Sequence, residues 1–404
     1  MIGGLMKTTS RFALAAAATA VMASGAMAAD LGGNCCADLE ERVAELEATT
    51  ARKGNRKVSL TVYGQVNKQM LWHDSDEVDA FRSDKLSIRD NDAGMSRIGV
   101  RGSAKIRPDL EAGYVIVLGL QENAGVNLNN SIIRENYVYL DSTQFGRVTL
   151  GQASQVTDGL FEINLANALV TPMGADTANG MLGGAYSATF STPFDGARRQ
   201  GIYYRTPTMA GFVLSTGYSH NTGAVPTVDS TDFWEVALRY AGEFNGIRFA
   251  AGVGYRHESV FNATGADFDN DVWMYSSSTM HVPTGLFISG GYAALDTDSV
   301  AANASDRDAW WLMAGIERNF FGPGATTFYG EYGQSNFDVQ FIGATPDLDR
   351  LDGQYWGLGV VQKIDAAAAD LYLQYRNYDI DGVAAVVGSS RDANVINAGM
   401  IIRF

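Results

Sequence analysis

The side chains in this 404-residue chain that could do chemistry are four histidines, two cysteines and several carboxylate clusters. His73, His220, His257 and His281 are scattered, and no two of them have the spacing of a metal site. His73 beside Asp74, Asp76, Glu77 and Asp79 is the nearest approach to a catalytic group. No Gly-x-Ser-x-Gly elbow and no phosphate loop accompanies it. Asp267, Asp269 and Asp271 form a second acidic cluster. Hard cations take carboxylate oxygens, but neither cluster has the spacing of an ordered calcium loop, so both read as solvated faces. Cys35 and Cys36 are adjacent. Adjacent cysteines rarely bond to each other without strain, so free thiols and bridges between chains both stay open. The expectation is a protein that is not an enzyme and takes no metal or cofactor. Arginines are more informative. Arg97 and Arg134 fall at the polar phase of otherwise apolar segments, and Arg101 keeps the phase of Arg97.

Something must hold those arginines on one face, and the bulk numbers narrow what it is. The formal net charge is -15, which argues against nucleic acid, a partner that rewards a basic footprint. Hydrophobic residues make up 46%, yet no apolar run beyond the N-terminus is long enough to be a spanning helix. Glycine is frequent at 45, proline rare at 8, and aromatics reach 11%, which suits many short strands and turns. A soluble sandwich would share that profile.

The first residues read as an address. Lys7 and Arg11 open a basic segment, Phe12 to Met22 is apolar and Ala-rich, and Ala26-Met27-Ala28 is a small-residue cleavage site. We expect residues 1–28 to be a secretory signal peptide. In residues 29–56, Leu39, Val43 and Leu46 have the four-three spacing of a heptad seam. That seam covers only about two turns, too little to hold alone in water. It is expected to form a short periplasmic helix that gains stability where several copies meet.

From Val58 the period changes to two. Val58, Leu60, Val62 and Val66 alternate with Ser59, Thr61, Gln65 and Asn67. Leu371, Leu373 and Tyr375 alternate with Tyr372, Gln374 and Arg376. Successive side chains of a strand point to opposite faces, so each segment has one apolar and one polar side. Such segments recur near 57–72, 95–106, 110–121, 132–141, 145–152, 198–206, 211–219, 232–242, 245–257, 270–281, 284–294, 307–319, 325–335, 352–363, 368–379 and 393–404. Short connections such as Arg107-Pro108-Asp109 alternate with long ones, including 73–94 and 153–197. Lipid offers no hydrogen-bond partner, so only a closed sheet satisfies every backbone group there. The expected fold is all-β, a transmembrane antiparallel β-barrel of about sixteen strands over residues 57–404. Phe404 closes the last alternating strand and reads as an assembly signal. Trp72, Tyr139, Trp234, Trp273, Trp310, Trp311 and Trp356 suit an aromatic girdle at the membrane interfaces.

Four stretches carry a family resemblance. They are Leu60 to Val66, Ser96-Arg97-Ile98-Gly99-Val100-Arg101-Gly102, Phe145 to Gln152, and Arg199 to Pro207 with Gly211-Phe212. In their order and spacing they resemble the general diffusion porins of Gram-negative bacteria. The resemblance covers the chain from about Val58 to Phe404. It implies a sixteen-stranded barrel in the outer membrane and three barrels in association. It also implies a third outer loop, here 153–197, folded into the lumen. Gly174-Ala175-Asp176-Thr177 resembles part of that loop.

In the family, acidic residues on the loop face basic residues on the wall, and the field between them orients dipolar solutes. Carried over by position, the basic wall is Arg97, Arg101, Arg134, Arg198 and Arg199, with Lys68 a further candidate. The acidic loop side is Asp158, Glu162, Asp176 and Asp195. Two departures stand out. The first strand has Gln65 where a lysine is common, and Pro172-Met173 occupies the place of a family glutamate. The resemblance implies a water-filled channel for small hydrophilic solutes and ions. Its partners would be outer-membrane lipid and lipopolysaccharide, the barrel assembly machinery, and two further copies of the chain. A substrate-specific channel for a sugar or an anion is the alternative on the same barrel. An adhesin that binds through its loops is a third class.

Overall fold

The computed structural model describes residues 58–75, 86–91, 94–120, 133–169, 189–190, 194–222, 228–262, 267–298, 306–338, 350–382 and 391–404. Cys35, Cys36, Leu39, Val43, Leu46 and Asp176 therefore lie outside the described residues. The strands in chain order are β1 (Thr61–Ser75), β2 (Leu86–Asp90), β3 (Arg97–Arg107), β4 (Leu110–Gly119), β5 (Ile133–Ser142) and β6 (Gly146–Ser154). After the long connection come β7 (Arg198–Arg205), β8 (Phe212–Thr222), β9 (Val228–Phe244), β10 (Ile247–Asn262), β11 (Phe268–His281) and β12 (Leu286–Asp298). The last five are β13 (Arg307–Arg318), β14 (Thr326–Asp338), β15 (Arg350–Ile364), β16 (Ala369–Gly382) and β17 (Arg391–Arg403). All pair antiparallel with their neighbours, and β1 pairs with β17 to close the barrel. Phe404 completes the seam. It exchanges backbone hydrogen bonds with Gly64 at 2.9 and 3.1 Å, and its ring lies where a Cβ on Gly64 would stand.

Sixteen positions carry seventeen strands because the second position is broken. β1 pairs through Thr61 to Gln65 with β3 and through Lys68 to Trp72 with β2. The Leu86–Asp90 strand falls inside 73–94, which the sequence pattern placed in a loop; five residues are too few for alternation to register. Asp90 organises the break. Fully buried, it accepts the Ser96 backbone N–H at 2.8 Å and the Ser96 hydroxyl at 2.5 Å. Lys68 completes it at 3.4 Å. That corrects the expected address of Lys68, which lies in phase with exposed Val66 and Met70 on the outward face.

At one end the hairpins are tight. Asn245 and Gly246 join β9 to β10 with φ of 49° and 75°, as a two-residue turn matched to strand twist requires. Around the barrel, outward residues such as Val138, Leu140, Leu150, Leu214, Leu312 and Leu358 are exposed and apolar. A continuous apolar surface of this kind exceeds what a soluble monomer shows. Its girdle includes the outward pairs Tyr218–Trp234 and Tyr255–Trp273, each with ring centroids 4.6 Å apart. Two expected members leave it: Trp311 is buried inside, and Tyr139 faces inward beside Arg147.

Inside, tyrosines lie across glycines. Tyr63 opposes Gly99, Tyr139 opposes Gly113, Tyr203 opposes Gly217 and Tyr329 opposes Gly359 in the register. Each ring sits 2.1 to 2.5 Å from where a glycine Cβ would stand. The missing side chain is what lets the ring lie flat on the wall, an aromatic cover for a weak strand position.

Candidate functional site

The connection after β6 turns into the barrel. Its apolar residues Leu160, Phe161 and Ile163, with Phe190 and Phe194 of the same connection, are fully buried. They pack on the inner wall in one cluster with Met274, Trp311, Tyr355 and Tyr378. Gly252 and Gly254 make room, since a Cβ at either would come within 2.4 Å of Leu160.

Polar anchors fix the path. Glu235 on β9 accepts the Thr157 backbone N–H at 3.1 Å and its hydroxyl at 2.7 Å. Arg239 donates to the Asp158 carbonyl at 2.9 Å. Ser276 and Ser278 on β11 accept the backbone N–H groups of Ile163 and Leu165 at 3.1 and 3.0 Å. Trp311 on β13 donates to the Phe161 carbonyl at 2.8 Å, and Ser335 on β14 to the Thr189 carbonyl at 2.7 Å. Phe190 ends between Tyr378 and Tyr355, centroids 5.0 and 6.3 Å away. The backbone of a strand is already spent on the sheet, so side chains of the wall supply the partners that a buried loop needs.

The wall left uncovered is basic. Arg97 on β3 donates to Gln65 Oε1 at 3.4 Å, while Gln65 donates to the carbonyls of Gly94 and Met95 at 2.8 and 3.0 Å. An amide does both jobs, which accounts for glutamine here, since lysine cannot accept. Arg101 stacks on Tyr63 at 5.0 Å. Arg134 reaches this wall through a bulge. The β4–β5 register shifts between Val117 and Leu118, skipping residue 134 and turning its side chain inward. Arg97, Arg134 and Arg198 lie within electrostatic reach of one another, and Arg97 and Arg134 also of Glu135. Arg198 pairs with Asp158 at 3.1 Å. Arg199 stands apart from that group, over Phe233 at 5.0 Å.

The expected acidic side divides. Asp158 meets the arginines, but Asp195 serves the loop itself. It accepts the Gly159 backbone N–H at 2.7 Å. Burial, with Glu162 and Asp158 close by, pushes its carboxyl well above the usual range. A raised carboxyl favours the docked loop fully only below about pH 4, the ordinary aspartate value. That contribution is lost as pH rises through the raised value. Asp195→Asn is expected to keep the acceptor and abolish this dependence. Current noise recorded from acid to alkaline pH would then stay flat, where the wild-type channel grows noisier as pH rises.

Sequence reasoning missed Glu135, Asp141, Arg147, Arg205 and Arg239. All stand on the inward phase of their strands, a phase legible from the alternation around them. Buried Arg376, paired with Glu331 at 2.7 Å, was also missed. One outward cluster has the order of a catalytic triad: Ser259 Oγ to His257 Nε2 at 3.2 Å, and His257 Nδ1 to Asp271 at 2.8 Å. β10 is paired on both sides there, so its N–H groups are taken by the sheet and none is left to hold an oxyanion.

Comparison with known proteins places the chain. The profile of a family described as Gram-negative porin matches residues 13–383. Comparison with curated proteins found no match. The fold is similar to an anion-selective porin from Comamonas acidovorans, with 18% identity and a TM-score of 0.62 over 86% of this chain and 100% of that one. It is similar to the trimer form of OmpT, an outer membrane protein of Vibrio cholerae, with 16% identity and a TM-score of 0.58 over 86% and 99%. A third similar structure is OmpF of Salmonella typhi in complex with daunomycin, with 14% identity and a TM-score of 0.56 over 86% and 98%.

Proposed function

Because the chain belongs to the Gram-negative porin family, we propose that its barrel passes small hydrophilic solutes and ions by passive diffusion and prefers anions. The coarser statement follows from the family itself: the chain is an outer-membrane channel for diffusion. The finer reading rests on one observation. Among the described residues, Arg97, Arg134, Arg147, Arg198 and Arg205 of this wall meet Glu135, Asp141 and Asp158, while Arg239 stands among Asp158, Asp195 and Glu235. Five guanidiniums against three carboxylates leave a local positive excess in a chain of net charge -15. Between low-dielectric walls such an excess concentrates anions. The docked connection narrows the lumen from the opposite side, with Asp158 the carboxylate that meets the arginines. Asp195 and Glu162 set how the loop sits.

Residues 1–28 act as the export leader and 29–56 as a short oligomer segment. Three barrels associate, a reading supported by the apolar outward face and by the trimer form of the Vibrio cholerae OmpT fold relative. Lys68 breaks that outward face with charge, which costs more against hydrocarbon than inside a subunit contact.

Conductance in a planar bilayer tests the reading. Ohmic steps that close in threes, with a reversal potential in a KCl gradient that favours chloride, are expected. A cation-favouring potential would overturn the selectivity, and a folded barrel without conductance would overturn the channel.

A further inference from the structure

A recess of about 470 Å³ opens from the lumen below the start of the inward connection. The register explains it. Three rows run across β5, β6 and β7: Asp141–Arg147–Arg205, then Tyr139–Thr149–Tyr203, then Tyr137–Gly151–Gly201. In the third row Gly151 and Gly201 carry no side chain, and the Tyr203 hydroxyl lies 2.8 Å from where a Cβ on Gly201 would stand. Ser154, Gln155, Val156 and Asp158 roof it. Tyr63, Tyr137 and Tyr203 contribute aromatic rings to the lining. The volume falls within the range of small-molecule sites, about 300–1,000 Å³.

The charged end of the recess is unevenly satisfied. Arg147 stacks on Tyr139 at 4.1 Å and donates its Nε to Asp141 at 2.7 Å. Arg205 comes only within 3.7 Å of the same carboxylate and makes no hydrogen bond to any described residue. Two guanidiniums thus share one carboxylate, and the fork of Arg205 keeps its donors for something else. A planar fork matches a carboxylate two-to-two.

We propose that this recess is a binding site for small aromatic carboxylates, with the carboxylate on Arg205 and the ring against Tyr137 and Tyr203. The inference rests on the reading of the lumen as the solute path. It adds that one class of anion pauses on the way. An aliphatic carboxylate gains the charge but not the ring contact. A neutral aromatic gains the ring contact but leaves Arg205 unmet.

Benzoate, acetate and benzyl alcohol are the probes, titrated by calorimetry into the detergent-solubilised full-length protein. Benzoate is expected to bind saturably and more tightly than either of the others. Arg205→Gln should weaken benzoate about tenfold or more, the worth of a charged hydrogen bond. Tyr137→Leu should weaken benzoate and leave acetate unchanged. Heat-modifiable mobility on gels shows that each variant has folded. Benzoate bound no better than acetate, or bound by Arg205→Gln as by wild type, would overturn the site. In a planar bilayer, benzoate should also reduce the chloride current in the same order of variants. Absent conductance would count against the channel reading alone, because calorimetry decides the site without current.

Discussion

A chain carrying Gly252→Val and Gly254→Val is expected to conduct more per channel than wild type and to admit larger solutes. A Cβ at Gly252 would stand 2.4 Å from Leu160 and 2.8 Å from Ile163, and one at Gly254 would stand 2.4 Å from Leu160. Both loop residues are fully buried and have nowhere to swing. Overpacking of this kind costs about 1–3 kcal/mol per site. The sheet itself accepts the change, since valine suits a strand better than glycine does. The loop is the part that yields, because its hold consists of separate side-chain contacts rather than a ladder.

Two measurements check this. Single-channel recording should show larger and less steady currents, and liposome swelling should extend to larger sugars. The barrel should keep its heat-modifiable mobility. Glu235→Ala should act in the same direction by removing the carboxylate that accepts both hydrogen bonds donated by Thr157. Unchanged conductance in a folded double variant would mean that the narrowest point lies elsewhere on the wall.

The fold was legible because a membrane barrel writes its two faces into alternate residues. Segments such as Leu371 to Arg376 needed no other information. What alternation cannot carry is an irregularity. Arg134 shares the parity of outward Val138 and Leu140, and only the bulge brings it inward. The inward path of the loop had a signal that went unused. Leu160, Phe161, Ile163, Leu165 and Leu169 are too apolar for a connection bathed in water. Aromatic residues misled for a related reason. Trp311 and Tyr139 fit a girdle by type, but their parity was inward, and parity decides where a strand residue points. Pairings such as Arg376 with Glu331 depend on which strands are neighbours and at what register, which follows only once the barrel closes.

Charge reversal at Arg97 and Arg134 is expected to turn the channel from chloride-favouring to potassium-favouring. Both stand on the wall opposite the loop, and both act within reach of Arg198. Glu135 is already the acid between them. Removing one unit charge near a passing ion changes its energy by about 1 kcal/mol at 4 Å even in high dielectric, roughly fivefold in preference. Arg97→Glu with Arg134→Glu reverses two such charges and leaves Glu135 unopposed, so the local sum becomes negative. The reversal potential in a KCl gradient should change sign. It should do so less fully at high salt, where the Debye length shortens. Arg101→Glu provides the contrast. Its guanidinium is stacked on Tyr63 and exposed, and it is not among the charges that act on Arg97 or Arg134, so its reversal should move the potential in the same direction by a smaller amount. Equal shifts from Arg97 and Arg101 would mean that the whole lumen, and not this cluster, sets the preference.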